Sequence, residues 1–307
     1  MPSLFKRLNT RVHKKAAPSP KDPYPHISKS STDPTDAWLT LGEIGDGAFG
    51  KVYRVKDRKS NLTAAAKIIP VNDDDLKEHY TEIDILSRAS TDHIIKLHSA
   101  VLFNGKLWIL LELCEGGALD DIIENIEHGL SEEQISACLF QTLQGLRYLH
   151  NELLVIHRDL KAGNLLITPD GLVKLADFGV SARLRKADER RNTFIGTPFW
   201  MAPEVINCET FKDEGYTMNC DVWSLGITLI ELADMEPPHS EVNPARVTLR
   251  ILKSDPPTLD RPKKWSKEFN DFLKKLLVKD AKRRQNINDV IEANHVFFKH
   301  HVQFAKK

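Results

Sequence analysis

The sequence lacks several features that would place it in a specialised class of protein. Its four cysteines show no CxxC spacing, which argues against a zinc site and against a disulfide framework. Its 43 basic and 43 acidic residues cancel, whereas a nucleic-acid-binding domain usually carries a net positive charge. No apolar run approaches the roughly 18 residues needed to cross a bilayer, and no apolar signal segment follows Met1. We therefore expect a cytoplasmic protein with no transmembrane segment and no nucleic-acid partner.

What is present is the composition of a globular protein behind a leader of different character. The 307 residues are 41% hydrophobic and 28% charged, enough to bury a large core in one big domain or two lobes. Residues 1–37 differ, because prolines and serines cluster there and several cations precede the first acid. We expect a disordered leader, since so few apolar residues cannot offset the entropy of ordering. The alternative is a weak membrane- or partner-binding helix around Leu4, Phe5 and Leu8.

Beyond the leader, the hydrophobic pattern changes from strand-like to helical. Lys51–Val55 and Leu107–Leu111 are β-branched or apolar runs bounded by turn residues, with one helical stretch, Asp75–Arg88, between them. Ser131–Gln134 then forms a capping box that opens a helix, and Val222–Ala233 is apolar almost all round, as in a buried helix. The sequence therefore predicts an α+β protein with a small β-rich lobe, a larger helical lobe and a ligand cleft between them.

The first chemical motif is a glycine-rich hexapeptide. It consists of Gly45, Asp46, Gly47, Ala48, Phe49 and Gly50. The same spacing occurs in dinucleotide-dependent oxidoreductases, where it must open a helix. Here an alternating strand, Lys51–Val55, follows, which favours a hairpin whose backbone amides close over phosphates. A plain glycine-rich hairpin is the alternative for this motif taken alone.

A lysine on the next predicted strand is the second candidate. Lys67 ends the apolar run Ala64–Ala66, where an unpaired ammonium would be costly. Glu82, on the following predicted helix, is a natural partner for it. A salt-bridged lysine aimed at nucleotide phosphates explains both residues, and a purely structural ion pair is the alternative.

Three ordered motifs in the second half of the chain carry a family resemblance. They are His157–Asn164, Asp177–Gly179 and Ala202–Glu204. Together with the glycine loop, Lys67 and Glu82, they resemble the eukaryotic protein kinases over Trp38–Phe298. The resemblance implies a bilobal kinase fold, with an N-lobe at 38–112, a hinge at 112–116, a C-lobe at 117–298 and a tail at 299–307. Relatives continue into coiled-coil regions, so the tail is interpreted either as a truncation before such a region or as the end of a short form.

The resemblance also implies ATP and Mg²⁺ as cofactors and a role for each motif residue. Asp159 would orient the acceptor hydroxyl or take its proton, and Asn164 and Asp177 would bind Mg²⁺. Lys67, held by Glu82, would contact the α- and β-phosphates, and Lys161 the γ-phosphate. The remaining nucleotide-binding positions would be the glycine loop with Ile44, Val52, Ala65, Glu112, Cys114 and Leu166, with Leu111 as gatekeeper.

Residues 196–204 resemble the Ste20 group. Residues 190–195, 243–244 and 256–258 look closest to the branch of the Ste20-like and lymphocyte-oriented kinases. Lys161 and Thr197 are typical of serine/threonine rather than tyrosine kinases. The resemblance implies protein substrates, among them cytoskeleton-linking proteins, and a homodimer formed by exchange of activation segments. The alternative is a pseudokinase scaffold, which the presence of the catalytic motif residues disfavours.

The activation segment, residues 183–197, supplies a regulatory prediction. Thr193 is expected to be an activating phosphosite, modified by a second copy of the chain, because a phosphate could bridge to Arg158 and order the segment. Unmodified, the segment is expected to be mobile and self-repelling because of four cations, Arg185, Lys186, Arg190 and Arg191. We expect structural roles for His157, for Asp221 as an anchor of the catalytic loop, and for an Arg284–Glu204 pair.

Overall fold

The structure, a computed structural model, describes residues 24–47, 50–211, 214–293 and 295–298. Three sequence-based predictions therefore lie outside the described residues. They concern the first 23 residues of the leader, Ala48 and Phe49 of the glycine loop, and the tail at 299–307. No helix in the described ranges has both the length and the apolar character needed to span a bilayer.

The small lobe is a six-stranded sheet with a single long helix packed against it. Its strand order is β1-β5-β6-β4-β3-β2, antiparallel except where β1 pairs with β5. The strands are β1 (Ser28–Lys29), β2 (Trp38–Gly47), β3 (Gly50–Asp57), β4 (Thr63–Pro70), β5 (Leu97–Phe103) and β6 (Lys106–Glu112), and the helices are α1 (Pro34–Ala37) and α2 (Asp73–Arg88). The predicted strands and helix fall within β3, β6 and α2.

Residues 24–37, expected to belong to a disordered leader, pack against this lobe instead. Ile27 is 4% exposed, and Ser28 pairs with Val101 at the edge of the sheet. Asp33 caps α1, whose first residue, Pro34, is buried. The expectation failed because so short a segment cannot build its own core, yet it can add one strand and one apolar side chain to an existing core.

The large lobe is helical and is organised around one buried helix. Almost every turn of α6 is buried, as its apolar pattern predicts. The predicted capping box is present, since the Ser131 hydroxyl accepts from the Gln134 amide and the Gln134 side chain accepts from the Ser131 amide. The helices are α3 (Leu119–Ile126), α4 (Glu132–Tyr148), α5 (Pro203–Thr210), α6 (Asn219–Asp234), α7 (Pro244–Lys253), α8 (Lys267–Leu276) and α9 (Ile287–Glu292).

Short strands and single turns connect the longer elements of the chain. A hairpin turns at Pro169–Gly171 and pairs β9 with β10. The short strands are β7 (Gly117–Ala118), β8 (Val155–Ile156), β9 (Leu165–Ile167), β10 (Val173–Leu175) and β11 (Ala182–Arg183). Single turns occupy Leu149–Leu153, Ala162–Asn164, Pro198–Trp200, Pro262–Lys264 and Val296–Phe298. Because β8 and β9 bracket residues 157–164, the catalytic loop predicted from sequence lies at the floor of the cleft.

Candidate active site

A cleft of about 910 Å³ separates the lobes and gathers most of the predicted site residues. The predicted residues that line it are Ile44, Gly45, Gly50, Val52, Ala65, Lys67, Glu82, Glu112, Cys114, Asp159, Lys161, Asn164, Leu166 and Asp177. The proposed gatekeeper, Leu111, also lines the cleft. Its polar groups come from both lobes, and its apolar groups come mainly from the sheet and β9.

The glycine motif forms a hairpin between two antiparallel strands. Asp46 pairs with Lys51, and Gly47 pairs with Gly50, at the turn from β2 to β3. Gly50 has a φ of 129°, and a Cβ there would lie 2.7 Å from the carbonyl oxygen of Ile68. Because a strand and not a helix follows the motif, the dinucleotide-binding alternative is excluded.

Lys67 is buried in an ion pair that spans the small lobe. Its Nζ lies 3.0 and 3.1 Å from the two carboxylate oxygens of Glu82 and 3.5 Å from Oδ1 of Asp177. Burial by itself would lower the lysine pKa, but the charges of Glu82 and Asp177 outweigh it and hold that pKa above its usual value. Lys67 is therefore a fixed positive charge at the back of the cleft.

Asp159 is held at the floor of the cleft by contacts on both carboxylate oxygens. Oδ1 accepts hydrogen bonds from the amide and the hydroxyl of Thr197, at 2.9 and 2.5 Å. Oδ2 lies 3.1 Å from both Lys161 Nζ and Asn164 Nδ2. Burial would raise the Asp159 pKa, but the bond from Thr197 and the charge of Lys161 bring it below the ordinary value. The carboxylate is therefore ionised, and Thr197 holds it in place through these two hydrogen bonds.

The loop that carries Asp159 is anchored from below by Asp221. This fully buried carboxylate accepts from the amides of His157 and Arg158, at 2.9 Å each, and contacts His150 Nε2 at 2.8 Å. Burial would raise its pKa, but the contact with His150 keeps the pKa below its usual value. His157 packs its ring 5.1 Å from that of Phe178. The structural roles predicted for Asp221 and His157 are confirmed by these contacts.

A second buried carboxylate, Glu231 on α6, was missed by the sequence reasoning. One of its oxygens accepts from the Ala162 amide and from the Trp200 indole, at 2.9 Å each. Burial raises its pKa to about 7. It thus joins the catalytic loop to the turn at Pro198–Trp200, just after the activation segment. The available signal was an acid inside the apolar run Val222–Ala233, which implies buried hydrogen-bond donors nearby.

Asn164 and Asp177 supply donor atoms that suit a hard divalent cation. The amide nitrogen of Asn164 donates to Asp159 O and Oδ2, at 2.7 and 3.1 Å, so its oxygen is the atom left to bind a cation. Asp177 has a φ of 57° and a side chain that is 35% exposed. In the described ranges, no group of three or more His, Cys, Asp or Glu residues could enclose a metal. Two oxygen donors in an open cleft fit Mg²⁺, which keeps waters and phosphate oxygens as ligands.

The segment after β6 joins the lobes and borders the cleft as the predicted hinge. Burial in this turn raises the pKa of the Cys114 thiol to about 11, so the thiol is neutral. The Glu112 carboxylate lies 3.2 Å from Nζ of Lys174, a buried lysine that also donates to the Asp92 carbonyl. Lys174 therefore braces the hinge from the large lobe.

The activation segment differs from its expected state of mobile self-repulsion. Arg190 donates to the carbonyls of Glu214 and Gly215, Lys186 lies 3.2 Å from Asp188, and Arg191 lies 3.6 Å from Glu189. The expected self-repulsion was wrong because it counted only the cations and overlooked the two neighbouring acids and the carbonyl acceptors, whereas the expected mobility stays a prediction.

Arg158 and Thr193 meet through a tyrosine. The Arg158 guanidinium donates to the carbonyls of Val180 and Ser181 and to the Tyr216 hydroxyl, all neutral acceptors. That hydroxyl donates in turn to the Thr193 carbonyl at 2.9 Å. Thr193 itself is exposed. The cation thus has hydrogen-bond partners, but no carboxylate is among these partners.

Outside the cleft, the predicted pair at the base of the large lobe is confirmed. The two terminal nitrogens of Arg284 donate to the two oxygens of Glu204, at 2.6 and 3.0 Å. The Arg284 side chain is fully buried, and its guanidinium lies 5.3 Å from the Trp223 ring. The pair braces α5 against the segment before α9 and takes no part in the cleft.

Comparison with known proteins agrees with this geometry. The family model of the protein kinase domain matches residues 38–298. Serine/threonine-protein kinase 10 is 51% identical in Danio rerio and 50% in Homo sapiens, each over 270 residues, or 88% of this chain and 28% of the relative. Serine/threonine-protein kinase cst-1 of Caenorhabditis elegans is 42% identical over 266 residues, 87% of this chain and 52% of the relative. This chain thus spans little more than a quarter of the kinase 10 proteins. It belongs to the protein kinase family, and these relatives confirm the predicted place in the Ste20 group of serine/threonine kinases.

Proposed function

We propose that this domain transfers the γ-phosphoryl group of ATP to serine and threonine hydroxyls of protein substrates. The observation that carries the proposal is the convergence of Lys67, Asp159, Asn164 and Asp177 on one cleft between the lobes. Phosphoryl transfer requires alignment of the acceptor with the phosphate and neutralisation of the charge that develops. The four side chains supply a fixed cation, an ionised carboxylate and two oxygen donors for a metal.

Asp159 would orient the acceptor hydroxyl. Its lowered pKa keeps it ionised, so it accepts a hydrogen bond from the hydroxyl. Before phosphoryl transfer begins, it is therefore only a weak base. As the hydroxyl oxygen bonds to the γ-phosphorus, the bond from that phosphorus to the bridging oxygen of ADP breaks, and the proton passes to the carboxylate. The bonds from Thr197 and Asn164 hold the carboxylate in place throughout.

The cations of the cleft would bind the phosphates. Lys67, aligned by Glu82, would contact the α- and β-phosphates, and Lys161, 3.1 Å from Asp159, would contact the γ-phosphate. Asn164 and Asp177 would hold Mg²⁺, which neutralises phosphate charge when bound. Val52, Ala65 and Leu166 line the apolar part of the cleft and would enclose the adenine.

A phosphotransfer assay tests the proposal directly. Asp159→Asn preserves the shape of the side chain and removes its charge, and the matched control Asp170→Asn changes an exposed carboxylate on the β9–β10 hairpin. We expect at least about 100-fold loss of kcat in the first variant and none in the second. Phosphoamino acid analysis should show phosphoserine and phosphothreonine only. A wild-type domain that binds ATP and transfers nothing would instead support the pseudokinase alternative.

Thr193 is the proposed activating phosphosite, modified by a second copy of the chain. Its exposure and the hydrogen-bonded path from its carbonyl through Tyr216 to Arg158 support this, because a phosphate on its side chain could bridge to a cation whose contacts described above are all with neutral acceptors. Phosphatase-treated protein should regain activity with ATP, at a rate that rises with protein concentration. Full activity in Thr193→Ala would contradict the activating role, and a concentration-independent rate would contradict modification in trans.

Substrates, dimer formation and cellular location rest on resemblance to longer proteins. We propose cytoskeleton-linking proteins as substrates and a homodimer that exchanges activation segments. A peptide-library profile and sedimentation at several concentrations test these two proposals. The expected cytoplasmic location remains a prediction, which microscopy of the tagged full-length protein would test.

A further inference from the structure

The N-terminal strap, defined as residues 24–29, packs on both α2 and the sheet. The ring of Tyr24 lies 5.1 Å from that of Tyr80 on α2, centroid to centroid. Ile27 is 4% exposed and shares a buried cluster with Ile83, also on α2. The strap ends as β1, hydrogen-bonded to the edge strand β5. It therefore contacts the helix that carries Glu82 and the sheet that carries Lys67.

Asp84 on α2 contacts side-chain nitrogen atoms from three parts of the chain. Its Oδ1 lies 3.5 Å from His26 Nε2 in the strap and 2.9 Å from Arg88 Nε on the same helix. Its Oδ2 lies 3.1 Å from Arg183 Nη1 at the start of the activation segment. The Asp84 side chain is only 12% exposed. Isolated surface ion pairs contribute little, but networks around one sheltered carboxylate are the exception.

Glu82 and Asp84 lie on different faces of α2. Two residues correspond to about 200° of rotation around a helix, so the two carboxylates point to nearly opposite sides. Glu82 contacts Lys67, and Asp84 contacts the strap and the activation segment. A rotation of α2 about its axis that separates Glu82 from Lys67 would therefore also displace Asp84 relative to His26 and Arg183.

We propose that Asp84 is a positioning residue that ties the N-terminal strap and the activation segment to α2 and so holds Glu82 against Lys67. The proposal rests on the kinase activity proposed above, since the Lys67–Glu82 pair matters for phosphate alignment. Asp84 touches no reacting group itself. Its effect on catalysis passes through the orientation of α2.

Four variants of the phosphatase-treated chain test this role. They are Asp84→Asn, Asp84→Glu, His26→Ala and Arg183→Ala, with Asp92→Asn as the matched control. The Asp92 side chain is 71% exposed, and its Oδ1 lies 3.6 Å from Nζ of the exposed Lys96. The readouts are kcat/KM for ATP, the midpoint of urea unfolding, and amide hydrogen exchange of residues 73–88.

We expect Asp84→Asn to lower kcat/KM by about 3- to 30-fold and to speed exchange in α2, with little change in the unfolding midpoint. Asp84→Glu should recover part of both effects. His26→Ala and Arg183→Ala should each have smaller effects. Neither effect should add to that of Asp84→Asn, because each variant removes one contact to the same Asp84 carboxylate. Asp92→Asn should match wild type in all three readouts.

If amide hydrogen exchange of α2 in Asp84→Asn were as slow as in wild type, the proposal would be overturned. So would His26→Ala or Arg183→Ala effects that persist in full in the Asp84→Asn background, because those residues would then act elsewhere. Hydrogen exchange needs no turnover. A wild-type chain without phosphotransfer therefore contradicts the proposed function, while the exchange data still decide whether Asp84 positions α2.

Discussion

The two lobes hold their catalytic groups in different ways. In the large lobe, the catalytic loop donates backbone N–H groups to two buried carboxylates, Asp221 and Glu231, on the central helix α6. In the small lobe, Glu82 depends on the position of α2, which is held by the pair with Lys67 and by contacts nearer the surface. The large lobe therefore fixes the position of its catalytic loop, whereas the position of Glu82 in the small lobe can change with α2.

The difference has an energetic cause. Separating a buried N–H from its carboxylate leaves unsatisfied groups in the interior, at a cost of about 1–3 kcal/mol each. The Asp84 contacts that hold α2 have partners in other segments that are 36% and 47% exposed, so breaking them leaves these partners accessible to water. Regulation that acts through conformation should therefore act on α2 and leave the catalytic loop in place.

The largest expected effect is at Asp177, which both lobes share. It contacts Lys67 of the small lobe and accepts from the Gly179 amide in its own loop. Asp177→Asn should lower kcat at least about 100-fold, because a metal ligand loses its charge, and should change the free energy of unfolding by less than about 1 kcal/mol. Kinetics at saturating Mg²⁺ and urea unfolding measure the two, with the exposed Asp188→Asn as control. Retention of more than a tenth of the activity would contradict the metal assignment.

The second prediction compares ion pairs from the two settings. Arg284→Ala leaves Glu204 as an uncompensated, mostly buried charge and should lower the free energy of unfolding by about 3–5 kcal/mol. Arg54→Ala breaks an exposed pair with Glu115, where the side chains are 44% and 46% exposed, and should cost less than about 1 kcal/mol. Urea unfolding of both variants gives the values. Equal losses would show that burial does not set the difference.

The third prediction concerns coupling across the small lobe. If Lys67 and Glu82 act as one unit, the losses in kcat/KM caused by Lys67→Met and Glu82→Gln should not add, with a coupling energy of up to about 3 kcal/mol. Steady-state kinetics of the two single variants and the double variant measure it. Full additivity would mean that Glu82 does not act through Lys67, and it would weaken the view of α2 as an adjustable element.

The smallest expected effect is a pH dependence in the large lobe. Burial raises the Glu231 pKa to about 7, above the ordinary value of 4.5 that applies in the unfolded chain. The folded state therefore binds more protons between these values, so this group adds stability as the pH falls from about 7 towards 5. The change should approach about 1 kcal/mol per pH unit. Urea unfolding at pH 5.5 and 8 should show this contribution in wild type and not in Glu231→Gln, and identical pH slopes would contradict the assignment.

Much of the site could be predicted from sequence because its chemistry lies in short motifs. The motifs His157–Asn164 and Asp177–Gly179 contain the proposed acceptor-orienting carboxylate and the proposed metal-ligand oxygens within a few residues. The strand β3 after Gly50 distinguishes the glycine-rich hairpin from a dinucleotide-binding motif. The Lys67–Glu82 pair was also predictable, since a lysine in an apolar strand requires a nearby acid. The hairpin and the ion pair need only local pattern and the cost of an unpaired charge, whereas the roles of Asp159, Asn164 and Asp177 came from the family resemblance.

Contacts between distant segments could not be predicted in this way. Glu231 and Asp84 each meet partners dozens of residues away, and the Asp221 anchor and the Arg284–Glu204 pair were expected only from the family resemblance. Residues 24–29 have a composition typical of disorder and still pack, because the exposed edge of β5 and the flank of α2 already exist for them to bind. The sequence alone determined the catalytic groups and the two-lobe pattern. The tertiary structure decided which neutral or charged partners hold those groups, because burial and distance, which set the strength of each contact, exist only once the chain has folded.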